Sequence, residues 1–180
     1  MAAVALSPLV AIVGPTASGK SALAMEVARR FKGEIIAADS RTIYVGMDIG
    51  TAKPTHEDRV EIKHHLLDVA NSSTKFTAAE FQRQARSAIN AITARAKLPI
   101  LVGGSGLYID SILFDYNFGD KADIQLREKL NKLSVAELTT YCLNMNILLP
   151  SNLKNKRHLI RAIEQRGINT DRSKHVRNNT

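Results

Sequence analysis

Gly14-Pro15-Thr16-Ala17-Ser18-Gly19-Lys20-Ser21 follows an apolar run over residues 9–13 and leads into a helical pattern from the lysine onward. Strand, glycine-bearing loop, helix is the context in which this spacing works as a phosphate-binding P-loop. Gly14 and Gly19 let the backbone curl until successive N–H groups point at one anion, and a side chain there would block the approach. Lys20 adds a positive charge. Ser21 adds a hydroxyl able to ligate magnesium riding on phosphate oxygens, while the helix N-terminus contributes its partial positive charge. The motif implies that the protein grips a di- or triphosphate. It leaves the reaction open, because nucleotide kinases, ATPases, GTPases and group-transfer enzymes all hold phosphates this way. A GTPase is disfavoured, since no Asn-Lys-x-Asp segment follows the loop.

Working outward, the helix from Lys20 to about Phe31 stops before Gly33, and Glu34-Ile35-Ile36-Ala37-Ala38 reads as a buried strand ending on Asp39. That completes a βαβ unit. Residues 40–60 lack clean periodicity and contain Gly46, Gly50 and Pro54, the pattern of a long surface excursion. His65-Leu66-Leu67-Asp68-Val69 is a candidate short strand. Thr77 and Glu80 have capping-box spacing, and Phe81, Ala85, Ala88, Ile89 and Ile92 share a face, so a helix is expected over about 78–96. Pro99-Ile100-Leu101-Val102 then forms a buried strand that runs into Gly103-Gly104-Ser105-Gly106, a second glycine-rich turn at a strand's carboxyl end, where open α/β sheets place their ligands. Helices are expected near 123–133, near 135–145 after a capping box at Ser134 and Glu137, and over about 155–166, stopped by Gly167. The expected organisation is a P-loop α/β core over 1–110, a helical insertion over 111–150 and a basic helix and tail over 151–180 that returns to the core.

A chain of 180 residues with 44% hydrophobic content supports one well-buried domain and a small appendage. A single cysteine, Cys142, rules out an internal disulfide, and no run reaches membrane-spanning length. The amino terminus lacks a basic leader, so a cytoplasmic protein without a membrane role is expected. The net charge of +8 is localised: residues 151–180 hold eight Lys/Arg against Glu164 and Asp171. A nucleic-acid footprint and a solvated basic face both fit that segment. On the last helix Lys154, Arg157 and Arg161 share a face opposite Leu159, Ile160 and Ile163. His64 and His65 are adjacent and point apart, which disfavours a metal site there.

The block from Asp39-Ser40-Arg41-Thr42-Ile43-Tyr44 through Gly46-Met47-Asp48-Ile49-Gly50-Thr51-Ala52-Lys53-Pro54 resembles a hallmark of the tRNA dimethylallyltransferases. The P-loop, Gly103-Gly104-Ser105-Gly106-Leu107-Tyr108 and Lys156-Arg157-His158-Leu159-Ile160-Arg161-Ala162-Ile163-Glu164 resemble further family segments in the same order. Such enzymes prenylate adenosine 37 beside the tRNA anticodon. The resemblance implies a P-loop NTPase-like, nucleotide-kinase-like α/β fold: a parallel sheet flanked by helices, with a helical carboxyl-terminal part. It implies that Gly14, Pro15, Thr16, Ala17, Ser18, Gly19, Lys20 and Ser21 hold the diphosphate of dimethylallyl diphosphate with Mg2+ on Ser21, and that Asp39, Lys20 and Ser105 are catalytic.

Asp39 would be the general base toward the exocyclic N6 of a flipped-out adenine. A magnesium-associated carboxylate and a helix-cap residue are the alternatives for it. Asp39, Ser40, Arg41, Thr42, Ser105, Arg127, Arg157, His158, Leu159, Ile160 and Arg161 match tRNA-contact positions. Ser105 also reads as a small turn residue and Arg127 as a surface helix arginine. Many members carry glutamine and threonine where this chain has Thr42 and Ser105. Members also continue past the position of Thr180, so a carboxyl-terminally truncated, monomeric form of the enzyme is the expectation. An inactive or RNA-binding fragment, a P-loop small-molecule or nucleotide kinase, and a prenyltransferase acting on free adenine nucleotides are the competing readings.

Overall fold

The computed structural model describes residues 8–116, 118 and 123–166. Gly167 and the basic tail with Arg172, Lys174 and Arg177 lie outside the described residues. The chain divides into two units, Met1–Phe114 and Asp115–Thr180.

The first unit is built on four parallel strands: β1 (Val10–Val13), β2 (Gly33–Ala38), β3 (His64–His65) and β4 (Leu98–Gly103), in the order β1-β4-β2-β3. α1 (Lys20–Phe31) crosses from β1 to β2, α3 (Ala78–Ala94) leads into β4 and α4 (Gly106–Leu113) follows it, with the short α2 (His56–Glu61) between β2 and β3. The two-residue alternation of a strand divides the core. Ile36, Ala38 and Leu101 meet Phe81, Ala85, Ile92, Ile109 and Ile112 of α3 and α4. Ile35, Ile100 and Val102 meet Ala24, Met25 and Ala28 of α1 on the opposite face. The expected α/β class, a parallel sheet flanked by helices, is what forms.

Local signals account for the helix starts. Thr77 and Ser134 close capping boxes with Glu80 and Glu137 as their spacing predicts. Thr55 and Asp58 close another inside the segment expected to be loop, and α2 is the result. The expected strand over 65–69 is cut to His64–His65, paired with Ile35 and Ile36. The physical reason lies in Leu66 (φ 63°) and Asp68 (φ 55°), whose left-handed backbones break extension. Ala70 then rejoins the structure as an isolated parallel bridge to Tyr44.

The second unit has α5 (Ile124–Lys132), α6 (Val135–Asn144) and α7 (Lys156–Glu164). The expected boundaries shift accordingly: the break falls at 114/115, and α7 shares one cluster with α5 and α6 through Leu130, Leu138, Cys142, Leu159, Ile160 and Ile163. Asn155 and Asp123 cap α7 and α5 by accepting from amides of the first turn. Among the described residues no helix is long and apolar enough to cross a membrane.

Candidate active site

β1, β4 and β2 are neighbours in the sheet and end on one edge, Val13 level with Gly103 and Gly103 level with Ala38. Each hands over to a segment singled out in the sequence: β1 to the P-loop, β4 to Gly104 and Ser105, β2 to Asp39. Parallel pairing therefore brings Gly14 to Ser21, Asp39 to Thr42, and Ser105 to one edge.

The P-loop curls through left-handed Ala17 (φ 63°) and Gly19 (φ 79°). Gly19 precedes α1 without a side-chain cap, leaving the first amides of that helix available to an anion. Pro15, Thr16, Ala17, Ser18, Gly19 and Ser21 are exposed. The Lys20 ammonium lies across the loop, donating to the Pro15 carbonyl and, at 3.4 Å, to Ser18 Oγ. A Cβ on Gly14 would stand 3.1 Å from Ser18 Oγ, and one on Gly104 3.3 Å from Gly14 O, so the two glycine turns touch.

Asp39 is half-buried, and its Oδ1 accepts from Arg41 N at 2.8 Å. That bond sets the carboxylate's direction and leaves Oδ2 without a hydrogen-bond partner among the described residues. Ser105 ties the two strand ends together: its N–H donates to Ala38 O at 3.2 Å and its Oγ accepts from Ser40 N at 2.9 Å. The serine hydroxyl keeps its own proton free to donate. Ser40 and Arg41 are exposed. Thr42 is not: it is 5% exposed, its hydroxyl lies 3.4 Å from Asp39 O and its carbonyl accepts from Asp68 N. In this arrangement Thr42 braces the backbone beneath Asp39.

Two residues that the sequence reading passed over belong to this edge. Tyr108, on the first turn of α4, stacks on Phe81 at 4.2 Å between centroids. Burial, then the neighbouring Tyr44, Asp39 and Glu80, push its phenol up, which puts the hydroxyl in the field of Asp39. Lys53 is only 3% exposed in its side chain and donates to Tyr44 O (2.8 Å), Asp48 Oδ1 (2.7 Å) and Asp68 Oδ1 (2.6 Å). Asp68 also accepts from Arg59 at 3.0 Å. A lysine in a glycine-rich block was the available signal; its partner at Asp68 is too distant in sequence to be seen from spacing.

In the second unit, Arg127 engages Glu164 with two bonds, 2.6 and 2.5 Å, joining α5 to α7. Burial opposes the charge less than this carboxylate favours it, and the guanidinium is held further above its ordinary value. Arg161 donates to Phe118 O at 2.8 Å and stands 3.7 Å from Glu164. Leu159 and Ile160 are buried among the helices, so their side chains are core and not contact surface. Arg157 and His158 are exposed. His64 and His65 bond apart as expected, to Ile62 O and to Glu34.

A family profile described as IPP transferase matches residues 42–177. The chain belongs to that family. Similar IPP transferase relatives include the tRNA dimethylallyltransferase of Oceanobacillus iheyensis, 44% identical over 163 residues that make up 87% of this chain and 52% of that protein. That of Exiguobacterium sp. is 51% identical over 132 residues, 73% of this chain and 42% of its own. Among solved structures, the full-length tRNA isopentenylpyrophosphate transferase from Bacillus halodurans aligns with a TM-score of 0.62 and 40% identity over 88% of this chain and 55% of that one. A eukaryotic dimethylallyltransferase acting on tRNA shares the fold at a TM-score of 0.73 and 24% identity, over 92% of this chain and 43% of its own. The chain spans about half the length of the relatives it matches. The IPP transferase profile begins at Thr42, so the P-loop and Asp39 rest on the geometry of the strand ends.

Proposed function

We propose that the chain carries the donor site and the base of an enzyme that moves a dimethylallyl group from dimethylallyl diphosphate to N6 of adenosine 37 in the anticodon loop of tRNA. The observation that carries this reading is the convergence of an anion-binding loop, a hydroxyl and a directed carboxylate at three adjacent strand ends, in a chain whose relatives are named tRNA dimethylallyltransferase.

The residues divide the work by charge. The P-loop amides and Lys20 hold the diphosphate and meet the charge that grows on it as the C1–O bond breaks. Asp39, oriented by Arg41 N, takes a proton from the N6 amino group as its lone pair forms the new bond to C1. Ser105, its Oγ fixed by Ser40 N, presents a donor between base and leaving group.

Magnesium fits this site. Among the described residues no cluster of three His, Cys, Asp or Glu could cage a metal ion. Exposed Ser21 offers one hydroxyl ligand, and phosphate oxygens and water would complete the shell of a magnesium ion. Ser21 would hold it, and the ion would supply positive charge to the leaving diphosphate.

The test incubates the chain with magnesium, labelled dimethylallyl diphosphate and unmodified tRNA. Label in RNA is expected, falling on the order of 10²–10⁴-fold in Asp39→Asn, which keeps the acceptor for Arg41 N and removes the base. Undiminished transfer by that variant would remove Asp39 from the mechanism. A folded chain that binds diphosphate and labels no RNA would leave only the donor half of the reading.

A further inference from the structure

The segment between Asp39 and α2 is held with more force than a loop needs. Gly46 (φ 76°) and Gly50 (φ 73°) turn the chain on either side of Met47-Asp48-Ile49, and Thr51 Oγ1 closes the turn on Met47 O at 2.6 Å. Lys53 is buried beneath and bonded on three sides. Residues 68–70 hold the start of the segment, with Val69 N and Ala70 N on Ile43 O and Val45 N on Ala70 O.

What this scaffold presents is apolar. Ile49 is 99% exposed, and Val45 and Met47 stand out into solvent beside it. Two cations, Lys53 and Arg59, balance two carboxylates, Asp48 and Asp68, so the knot beneath the tip is neutral. Exposed Arg41 stands a few residues away in the same segment. Apolar side chains fixed in advance, in a segment that also carries an exposed cation and with no net negative charge beneath, suit an unstacked strand of nucleic acid. Apolar side chains of this kind wedge between base steps, phosphates are drawn to the cation, and the ordering cost is already met in the free protein.

We propose that Val45, Met47 and Ile49, locked by Lys53, are an apolar wedge for the single-stranded loop of the acceptor RNA, covering the base faces uncovered when the reacting adenine leaves its stack. This rests on the reading of the chain as an RNA prenyltransferase and adds a residue-level contact to it. Lys53 is a positioning residue here, acting through the tip.

The experiment uses a synthetic, unmodified anticodon stem-loop carrying 2-aminopurine in place of the target adenine, whose fluorescence rises when it unstacks. Binding is read by anisotropy and unstacking by intensity, with the whole chain and its Met47→Ala/Ile49→Ala and Lys53→Met variants. The tip variant is expected to bind about tenfold more weakly, a change of about 1.4 kcal/mol, and to lose most of the intensity rise, because the side chains that would hold the base step apart are gone. Its melting temperature should not move, because exposed side chains contribute no core packing. Lys53→Met should lose the intensity rise in the same way. It should keep its affinity for inorganic diphosphate, a readout that general unfolding would abolish. Variants indistinguishable from wild type in both signals would overturn the wedge while leaving the prenyltransferase reading intact. A wild-type chain that neither binds nor unstacks the stem-loop would overturn both. Tip variants that spare RNA binding but abolish self-association in sedimentation would mark a protein contact, and the wedge would be wrong.

Discussion

A methyl group at Gly103 would stand 2.1 Å from Ala38 O and 2.9 Å from Ala38 Cα, inside the backbone of the neighbouring strand. No rotamer relieves that clash, so β2 and β4 would have to part at the edge where Asp39 and Ser105 meet. Gly103→Ala should cost roughly 3 kcal/mol, the upper range for overpacking. It should also lengthen the Ser40–Ser105 bond that sets the hydroxyl. Chemical denaturation checks the first effect, and a fall in turnover larger than the fall in diphosphate affinity checks the second. Gly14 differs, since a Cβ there is crowded by the flexible end of Ser18 at 3.1 Å and otherwise meets the Lys20 side chain at ordinary contact distance. The two glycines read alike in the sequence, and packing alone separates them.

At the scale of elements, β2 carries a charge where its pattern reads as apolar. Glu34 is 2% exposed and accepts from His65 (2.6 Å), Arg95 (2.7 Å) and Lys97 (3.0 Å), donors drawn from β3 and from the end of α3 and its following turn. Burial raises its carboxyl, but the hydrogen bonds from His65, Lys97 and Arg95 outweigh that and bring it from 4.5 to about 2. A carboxyl depressed in the folded state contributes stability that is complete above its unfolded value and is lost as pH falls through its folded one. Stability should therefore drop by up to about 3 kcal/mol between pH 4.5 and about 2. Denaturant melts across that window should show a shallower slope in Glu34→Gln than in wild type, with the variant starting lower at neutral pH; the slope that remains belongs to Glu61, Asp68 and Glu137, whose carboxyls are also held low. The same element shows what a sequence conveys. Caps at Thr77 and Ser134, the short apolar runs of β2 and β4 and the P-loop context were legible because their signals lie within a few residues. α2 was legible too, from Thr55 and Asp58, and passed over for want of periodicity. The partners of Glu34 and Lys53 were not, because they come from strands and turns that only the folded chain assembles. For the candidate site, the placement of Asp39, Ser105 and the P-loop at strand ends was readable, whereas the burial of Thr42, Leu159 and Ile160 was not, because it depends on elements that pack from elsewhere in the chain.

At the scale of the whole molecule, a net charge of +8 does not say which cations are available to a polyanion. Arg127 and Arg161 are turned toward Glu164, whose side chain is 3% exposed, whereas Arg157 projects from the first turn of α7 into solvent. Truncating Arg127 would leave a buried carboxylate without its two-pronged partner, a loss of about 1–2 kcal/mol, since the guanidinium is 38% exposed and Arg161 stays 3.7 Å from Glu164. Truncating Arg157 disturbs no such pair. Two basic residues thus give opposite signatures. Arg157→Ala should leave the melting temperature unchanged and weaken RNA binding by a similar factor for all sequences. It should also reduce the slope of log Kobs against log salt by about 0.7, the value for one single-strand phosphate contact. Arg127→Ala should lower the melting temperature and, at temperatures where the chain remains folded, keep the wild-type slope. Anisotropy titrations of the stem-loop at several salt concentrations, beside thermal melts, decide the matter. A slope that falls with Arg127 and not with Arg157 would mean that the Glu164 pair opens when RNA arrives, so that α5 and not the exposed start of α7 meets the phosphates.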